Sequence, residues 1–245
     1  MITAANVQGH WVRQWIKAPG FEDHATRVHW MQAGHLYADV RIPLDRPDVG
    51  ASTCLADLSA ATLSKLAQAE GFAGHVTLQG NRCTWHRDIN WHGAPDALDI
   101  GEIRFDEQGR MTETGVLAEY SELWVQAAKT ETSAIRFSSD GYSGFLVVAG
   151  DVAVLGIGQT SKPATKPLVS ALANGRVPDD IDTLFDGLHA LCRLEDTKVI
   201  ATLATNPLAE GQLVVSLSDD IVVWHKAHFD GTRSEIDMQT ATVSA

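Results

Sequence analysis

The chain has few cysteines and no long apolar run, and both absences limit what it can be. Its 245 residues include three cysteines, far apart and without a CxxC pair, so neither a disulfide framework nor a structural zinc site is expected. The best apolar stretch, Phe145 to Ile157, is interrupted by Gly150 and Asp151 and is too short for a transmembrane helix. The opening MITAANVQGHW lacks the basic and apolar regions of a secretory signal. We therefore expect a cytoplasmic protein that does not contact membranes.

Basic residues are also scarce, since 19 lysines and arginines face 31 aspartates and glutamates and leave a net charge of −12. A nucleic-acid-binding face needs clustered basic side chains, and this sequence has no such cluster. It also contains no glycine-rich phosphate loop, no GxSxG and no HExxH motif, and its ten histidines are scattered. We therefore expect no nucleic-acid partner, no cofactor and no metal.

Short strands make up most of what is present. Alternating apolar and polar residues on either side of a tight turn predict four hairpins, at 75–91, 100–116, 145–157 and 213–224. Leucine spacing predicts only two helices, Leu55–Glu70 and Asp182–Glu195. Strands of this length and spacing are typical of antiparallel barrels or sandwiches.

Two short segments of the chain resemble each other, and this similarity, which we call the internal echo, suggests a duplication. Val76-Thr77-Leu78 followed by Trp85-His86-Arg87 resembles Val215-Ser216-Leu217 followed by Trp224-His225-Lys226, at a constant spacing and without a gap. We interpret this as two related barrels, spanning residues 1–128 and 132–245, with a joint at 128–132. The alternative interpretation is two similar hairpins within one large sheet.

Short motifs connect the sequence to a known architecture. Gly9-His10-Trp11 resembles the lipocalin GxW signature, in which a late-strand arginine commonly covers the tryptophan, and Arg104 or Arg87 could take that place. The segments 113–115, 122–124 and 142–148 (ETG, ELW and YSGFLVV) resemble the fungal Hri-one-type proteins. That resemblance covers nearly the whole chain and implies a mainly β fold of two consecutive antiparallel lipocalin-like (calycin) barrels with one or two short helices. It implies no activity.

The segment 83–92, CTWHRDINWH, concentrates the side chains that could carry chemistry. Strict alternation places one set on one face: Cys83, Trp85, Arg87, Ile89 and Trp91. The opposite face then carries Thr84, His86, Asp88, Asn90 and His92. Because burying tryptophan and isoleucine is favourable, we expect the first set to line the barrel lumen. Arg87 would then need Glu113, Glu122 or a ligand carboxylate as a partner, or would serve only to close the barrel.

Tryptophan is concentrated in the first half, where six of the seven occur. They are Trp11, Trp15, Trp30, Trp85, Trp91 and Trp124. These side chains predict an aromatic interior for the first barrel, either as packed core or around a ligand cavity. The second half has many small residues and is interpreted as a packed support or a module for homodimerisation.

Three functional hypotheses follow. The leading one is binding of a small, largely apolar or amphipathic molecule in the first lumen, with a polar end oriented by Arg87 or Tyr120. Its candidate ligand-binding residues are Trp85, Arg87, Trp91, Arg104, Tyr120 and Trp124. The alternative is a cofactor-free lyase, isomerase or hydratase in that lumen, using His86, paired with Asp88, or Glu113 or Glu122 as general acid and base. The third is a non-catalytic scaffold with both barrels filled.

Overall fold

A computed structural model describes residues 1–95, 97–128 and 130–241, and its strands form two antiparallel barrels in succession. The first group of strands is β1 (Gly9–Ala18), β2 (Phe21–Asp23), β3 (Arg27–Ala33), β4 (Leu36–Ile42), β5 (Glu70–Gln79), β6 (Arg82–Asn90), β7 (Asp99–Phe105), β8 (Met111–Gly115) and β9 (Ser121–Ala128). β1 pairs with both β3 and β9, which closes eight of these strands into a barrel. The short β2 extends the end of β1 as a hairpin.

The second barrel is also eight-stranded, and pairing of its first and last strands closes it. Its strands are β10 (Thr132–Ser139), β11 (Tyr142–Ala149), β12 (Val152–Gln159), β13 (Leu188–Glu195), β14 (Lys198–Ala204), β15 (Leu213–Leu217), β16 (Ile221–Ala227) and β17 (Arg233–Ala241). The mainly β, two-barrel fold is therefore confirmed. Lys129, within the predicted joint, and residues 242–245 lie outside the described residues.

Four short helices lie in the described ranges, more than the one or two expected. They are α1 (Ala4–Val7), α2 (Ala60–Leu66), α3 (Lys166–Ala173) and α4 (Asp182–Phe185), and 3-10 turns occur at Leu55–Asp57 and Pro207–Ala209. None of these described helices has the length and hydropathy that a membrane crossing requires.

Both helix predictions were too long. The first is divided into a 3-10 turn and α2, whose N-terminus is capped by the Ser59 hydroxyl accepting a bond from the Thr62 backbone N–H at 3.2 Å. The second ends at Phe185, because Gly187 follows with φ +117° and residues from Leu188 onward form strand β13. The leucines of that segment fit a helical spacing, but they lie on opposite faces of a strand: Leu188 is in the core of the second barrel, and Leu191 packs against the core between the barrels.

The internal echo is a local similarity and not the repeat of the fold. The two hairpins, β5–β6 and β15–β16, do share their pairing register. They also share a contact, between Thr77 Oγ1 and His86 Nε2 at 3.0 Å and between Ser216 Oγ and His225 Nε2 at 2.8 Å. However, β5 and β6 are the fourth and fifth strands around the first barrel, whereas β15 and β16 are the sixth and seventh around the second. The echo therefore aligns strands that are not equivalent.

The barrels pack against each other through an apolar core. Outward-facing residues of the first barrel, such as Val40 and Ile42, pack with Phe145, Val147 and Val154 of the second. Burying this surface favours the docked arrangement because apolar area is removed from water on both sides. The outer face of β4 is therefore interior to the molecule as a whole.

One polar side chain, His189, is also buried where the barrels meet. It fits there because Gly71 and Gly156 lack side chains, and a Cβ at Gly71 would lie 2.2 Å from the His189 ring. Within the described part of the chain, neither ring nitrogen has a hydrogen-bond partner. Burial first, and the charge of Lys162 second, lower the pKa of His189 to about 3, so the imidazole is neutral at physiological pH.

Candidate functional site

The lumen of the first barrel is lined by tryptophan in its apolar part. Trp30 is at the centre of the group, with its ring centroid 6.3 Å from Trp11, 6.0 Å from Trp85 and 5.9 Å from Trp124. All four side chains are buried. Their edge-to-face and stacked contacts fill the space that a wide apolar cavity would need.

The expected alternation along β6 fails at Asp88. Gly74 of β5 pairs with Arg87 and Ala73 pairs with Ile89, so Asp88 is an extra residue in a β-bulge. The backbone there is so close that a Cβ at Gly74 would lie 2.1 Å from the His86 carbonyl oxygen. Glycine is therefore required opposite the bulge.

Because of this bulge, Trp91 does not face the lumen as strict alternation predicts. Before it, Trp85 and Arg87 face the lumen; after it, Ile89 and Trp91 face the second barrel. There Trp91 packs edge-on to Phe185, with ring centroids 6.3 Å apart. Trp91 is therefore part of the interface between the barrels.

Trp15 also lies outside the lumen. A register shift in β1 between Arg13 and Trp15 turns the indole outward, where the Lys17 ammonium lies 5.2 Å from the centre of its ring. Of the six tryptophans expected in the interior, the structure brings four together there.

The other end of the lumen, where β4 and β8 finish, is charged. Arg13 contacts Glu122 at 2.7 Å and Asp23 at 3.0 Å, while Arg41 contacts Asp39 at 3.1 Å. The side chains of Arg13 and Glu122 are only 6% and 3% exposed, so this ion pair is removed from water. We call this group, together with Arg87, Asp99, Glu113 and Tyr120, the charged end.

Arg87 points into the lumen as expected, but its partner differs from those predicted. Its guanidinium lies 3.6 Å from the centre of the Phe72 ring and 2.5 Å from Asp99 Oδ2. Arg104 instead lies on the outer surface, 78% exposed and 3.9 Å from Glu102. Neither arginine covers Trp11, which packs against Phe105.

Glu113 and Glu122 both lie in the lumen, where both carboxyl groups are buried. Tyr120 donates a hydrogen bond of 2.7 Å to Glu113 Oε1, and the absence of a side chain at Gly101 leaves room for the carboxyl group. Burial, followed by repulsion from Glu122 and Asp99, raises the pKa of Glu113 well above its ordinary value. Burial therefore favours the neutral, proton-carrying form of Glu113 inside the barrel.

His86 lies outside the lumen and is not paired with Asp88. Its ring stacks on His75, with centroids 4.5 Å apart. Asp88 instead contacts His75 at 3.3 Å and Arg136 of the second barrel at 3.6 Å. The predicted base–orienter pair is therefore not formed, and within the described ranges no three histidine, cysteine or acidic side chains gather as a metal site requires.

The space left at the charged end is a cavity of about 20 Å³. This is room for roughly one water molecule. Its walls are Trp30, Tyr37, Asp39, Arg41, Phe72, Trp85, Asp99, Glu113 and Trp124. Nε1 of Trp30 and Nε1 of Trp124 are both buried without an acceptor among the described residues. Sequence analysis missed Asp39 and Arg41, although they alternate with Tyr37 along β4.

An unexpected set of exposed apolar residues surrounds this end of the barrel. Five of the seven large apolar side chains that are exposed in the described ranges lie on its loops and its β2 hairpin. They are Phe21, Leu44, Leu98, Val116 and Leu117. We call them the apolar rim. A contiguous exposed apolar surface of this kind marks a place that contacts ligands or partners.

Together these features define a class of protein: two antiparallel barrels in one chain, the first with charges in its lumen. No protein-family model and no curated protein matches the chain. Among solved structures, it is similar to an uncharacterised protein of Saccharomyces cerevisiae, YLR301w, with a TM-score of 0.55 and 13% sequence identity. The similarity covers 96% of this chain and 98% of the yeast chain. At this identity it shows the shared two-barrel fold alone.

Proposed function

We propose that the first barrel binds a small amphipathic molecule, with an oxygen-bearing head group at the charged end and an apolar part on the apolar rim. The observation that carries this proposal is the set of unpaired donors. Nε1 of Trp30, Nε1 of Trp124 and Nε of Arg87 are all buried without an acceptor in the described part of the chain. All three are N–H groups, so the missing partner is an acceptor.

Leaving a buried donor unpaired costs about 1–3 kcal/mol. A carboxylate or carbonyl oxygen in the cavity beside Trp30 and Trp124 would recover that free energy. Arg41 and Arg87, each 19% exposed, lie where the lumen meets solvent. Each pairs with one aspartate, but a guanidinium has five N–H donors, so both keep donors for the oxygen of a head group. A bound water could pair with the same donors but would leave the apolar rim without a role.

The cavity volume determines the orientation of the ligand. About 20 Å³ admits one oxygen atom and no hydrocarbon chain, because the tryptophan rings occupy the rest of the lumen. The apolar part therefore lies outside, on Leu98, Val116 and Leu117, which are close in the chain to Asp99 and Tyr120. This reverses the arrangement expected from the tryptophan content, in which the apolar part was inside.

A titration of intrinsic tryptophan fluorescence with linear carboxylates, from acetate to decanoate, tests the proposal. We expect quenching, and an affinity that increases with chain length by at most about fourfold per CH₂, the factor for full burial. Trp30→Phe should weaken binding of every member about tenfold, because one hydrogen bond to a charged group is lost. Leu117→Ser should reduce the dependence on chain length.

The matched control is Trp15→Phe, which removes an indole from the outer surface and should leave each affinity unchanged. If no carboxylate changes the fluorescence at millimolar concentration while circular dichroism shows folded protein, the binding proposal is wrong. A filled, non-catalytic scaffold would then be the better description of the first barrel.

General acid catalysis is a second candidate, favoured by Glu113, whose buried carboxyl group is bonded to Tyr120 inside the lumen and has a raised pKa. A carboxyl group held protonated near neutral pH can donate a proton to a substrate oxygen. Mass spectrometry of a carbonyl or hydroxy-acid substrate panel would detect turnover. Glu113→Gln should then preserve binding and abolish conversion, whereas equal conversion by the variant would exclude Glu113 as the acid.

A further inference from the structure

The second barrel carries its own polar group at the equivalent end, where β12 and β16 finish and β11 begins. Here the barrel opens into a cleft of about 500 Å³, far larger than the cavity of the first barrel. Cavities of roughly 300–1,000 Å³ are typical of small-molecule sites. The cleft is also independent of the lumen described above, since it shares none of the residues that line the smaller cavity.

The floor of the cleft is a connected polar network. The Lys226 ammonium lies 2.6 Å from Asp186 Oδ1 and donates a hydrogen bond of 2.8 Å to the Tyr142 hydroxyl. Tyr142 in turn donates to Asp186 Oδ2 at 2.9 Å, and the Gln159 amide donates to the same oxygen. Burial acts to raise the pKa of Asp186, but these donors hold it below its ordinary value. The carboxylate is therefore ionised and fixed in position.

This network still has unused hydrogen-bonding capacity that can reach a ligand. An ammonium group has three N–H donors, and the two contacts to Asp186 and Tyr142 use two of them. A side-chain amide has two N–H donors and a carbonyl acceptor, and the bond from Gln159 to Asp186 uses one donor. The floor therefore presents both donors and an acceptor, which suits hydroxyl groups because each hydroxyl both donates and accepts.

An aromatic wall stands beside this floor. The rings of Phe185 and Phe229 lie 5.8 Å apart at an angle of 30°, and both line the cleft. Trp91 of the first barrel packs behind Phe185 and holds it in place. A ligand with a flat face of C–H groups can pack on this wall while its polar groups reach the floor.

Charge excludes one class of ligand. Asp179, Asp182, Asp186 and Asp230 line the cleft, against the single lysine Lys226. Lys226 is already paired with Asp186, so among the described residues that line the cleft no unpaired lysine or arginine remains to attract a phosphate or a carboxylate. The occupant is therefore neutral or cationic.

We propose that the cleft of the second barrel binds a neutral polyhydroxylated ligand, a sugar or polyol of monosaccharide to disaccharide size. Such a molecule has an apolar face for Phe229, which Phe185 supports from the core, and hydroxyl groups for Lys226 and Gln159. It also carries no negative charge to be repelled by the surrounding aspartates. A simple amine would satisfy the charge requirement but could not use the mixed donors and acceptor of the floor.

Saturation-transfer difference NMR on the full chain tests this proposal, with glucose, mannose, galactose, myo-inositol and trehalose as probes and putrescine and citrate for comparison. We expect at least one sugar or polyol to receive saturation through its ring C–H protons, and citrate to receive none. Phe229→Ala should weaken that binding at least tenfold, and Gln159→Ala should weaken it severalfold. Trp15→Phe removes an indole from the outer surface of the first barrel and should leave sugar binding unchanged.

The proposal is overturned if none of the five sugars and polyols receives saturation from protein that circular dichroism shows to be folded. It is also overturned if putrescine alone binds, since the cleft would then recognise positive charge. The two proposed sites fail separately: Trp30→Phe should leave sugar binding unchanged, and Phe229→Ala should leave carboxylate quenching unchanged.

Discussion

The two barrels have the same number of strands and the same closure, yet their interiors differ. The second lumen is filled by apolar side chains such as Leu155, Ile157 and Trp224. The first encloses ion pairs, among them Arg13–Glu122, next to its tryptophans. Replacing a buried ion pair with well-packed apolar residues is often neutral or stabilising, so the charges of the first barrel are not explained by a need for stability. The second barrel shows that this architecture closes without them.

The polar groups of the two barrels also differ in their access to solvent. In the first they surround about 20 Å³, whereas in the second they form the floor of about 500 Å³. Arg87 and Lys226 illustrate the difference: each pairs with one aspartate and lies over an aromatic ring. Lys226 lines the cleft of about 500 Å³, whereas Arg87 lines a separate, smaller one of about 260 Å³. Access to the polar end, more than the fold, distinguishes what each barrel can bind.

The largest effect is expected from breaking the charge network of the first barrel. Arg13→Ala leaves Glu122 buried with only the longer contact to Arg41, at 3.8 Å. The loss of the close partner should lower the free energy of unfolding by about 3–5 kcal/mol. Urea denaturation followed by circular dichroism measures this change. A loss below about 1 kcal/mol, the range of surface ion pairs, would mean that water reaches these charges and that the contrast between the barrels is smaller than described.

A core substitution in the second barrel should have the next largest effect. Leu155→Ala removes a fully buried side chain and should cost about 3 kcal/mol through lost apolar contact and the cavity left behind. Leu155→Met preserves volume and should cost less than about 1.5 kcal/mol. Arg13→Met in the same unfolding assay distinguishes the two interiors. It should lower the free energy of unfolding much more than Leu155→Met does, because it removes the charge that pairs with Glu122.

The interface should respond to pH through His189. Its pKa is about 3 in the folded protein against an ordinary value of 6.5, so the unfolded chain takes up a proton first as pH falls. The contribution of His189 to the free energy of unfolding is complete above pH 6.5 and is lost progressively as the pH falls to 3. The loss amounts to about 2 kcal/mol at pH 5. His189→Leu should therefore flatten the decline in melting temperature between pH 7 and pH 5. An unchanged decline, with His24→Ala as the exposed control, would show that other groups cause it.

The smallest effect is expected for Arg104, which sequence analysis had placed near the lumen. Because its side chain is 78% exposed, Arg104→Ala should change stability by less than about 0.5 kcal/mol. Carboxylate binding should also be unaffected. Arg87→Ala in the same titration should weaken binding, and equal behaviour of the two variants would remove Arg87 from the proposed site.

The barrels could be predicted because short alternating runs and turn residues leave few other architectures. The internal echo also predicted two barrels, but it aligns strands that occupy different positions in them. That part of the argument therefore reached the two-barrel fold by coincidence. The predicted helix over 182–195 failed because leucines at 184, 188 and 191 fit a helix and a strand equally well. Burial against the second core, which depends on contacts distant in sequence, decided between them.

The composition of the candidate site was partly predictable. Trp85, Arg87, Glu113, Tyr120 and Glu122 all lie in or beside the first lumen. Trp91 does not lie there. The bulge that turns it outward depends on how two strands pair, so it cannot be predicted from the sequence of β6 alone. The only local sign was glycine at position 74, whose meaning appears only when its partner strand is known.

The bulge at Asp88 has a thermodynamic consequence for the whole molecule. β6 contributes Trp85 to the core of the first barrel and Ile89 to the apolar core between the two barrels. The strand therefore cannot detach from the first barrel without also disrupting the surface on which the second barrel packs. Local opening of either barrel exposes surface that the other one needs covered. The chain should therefore melt as one cooperative unit with a single calorimetric transition, although it is built from two closed barrels.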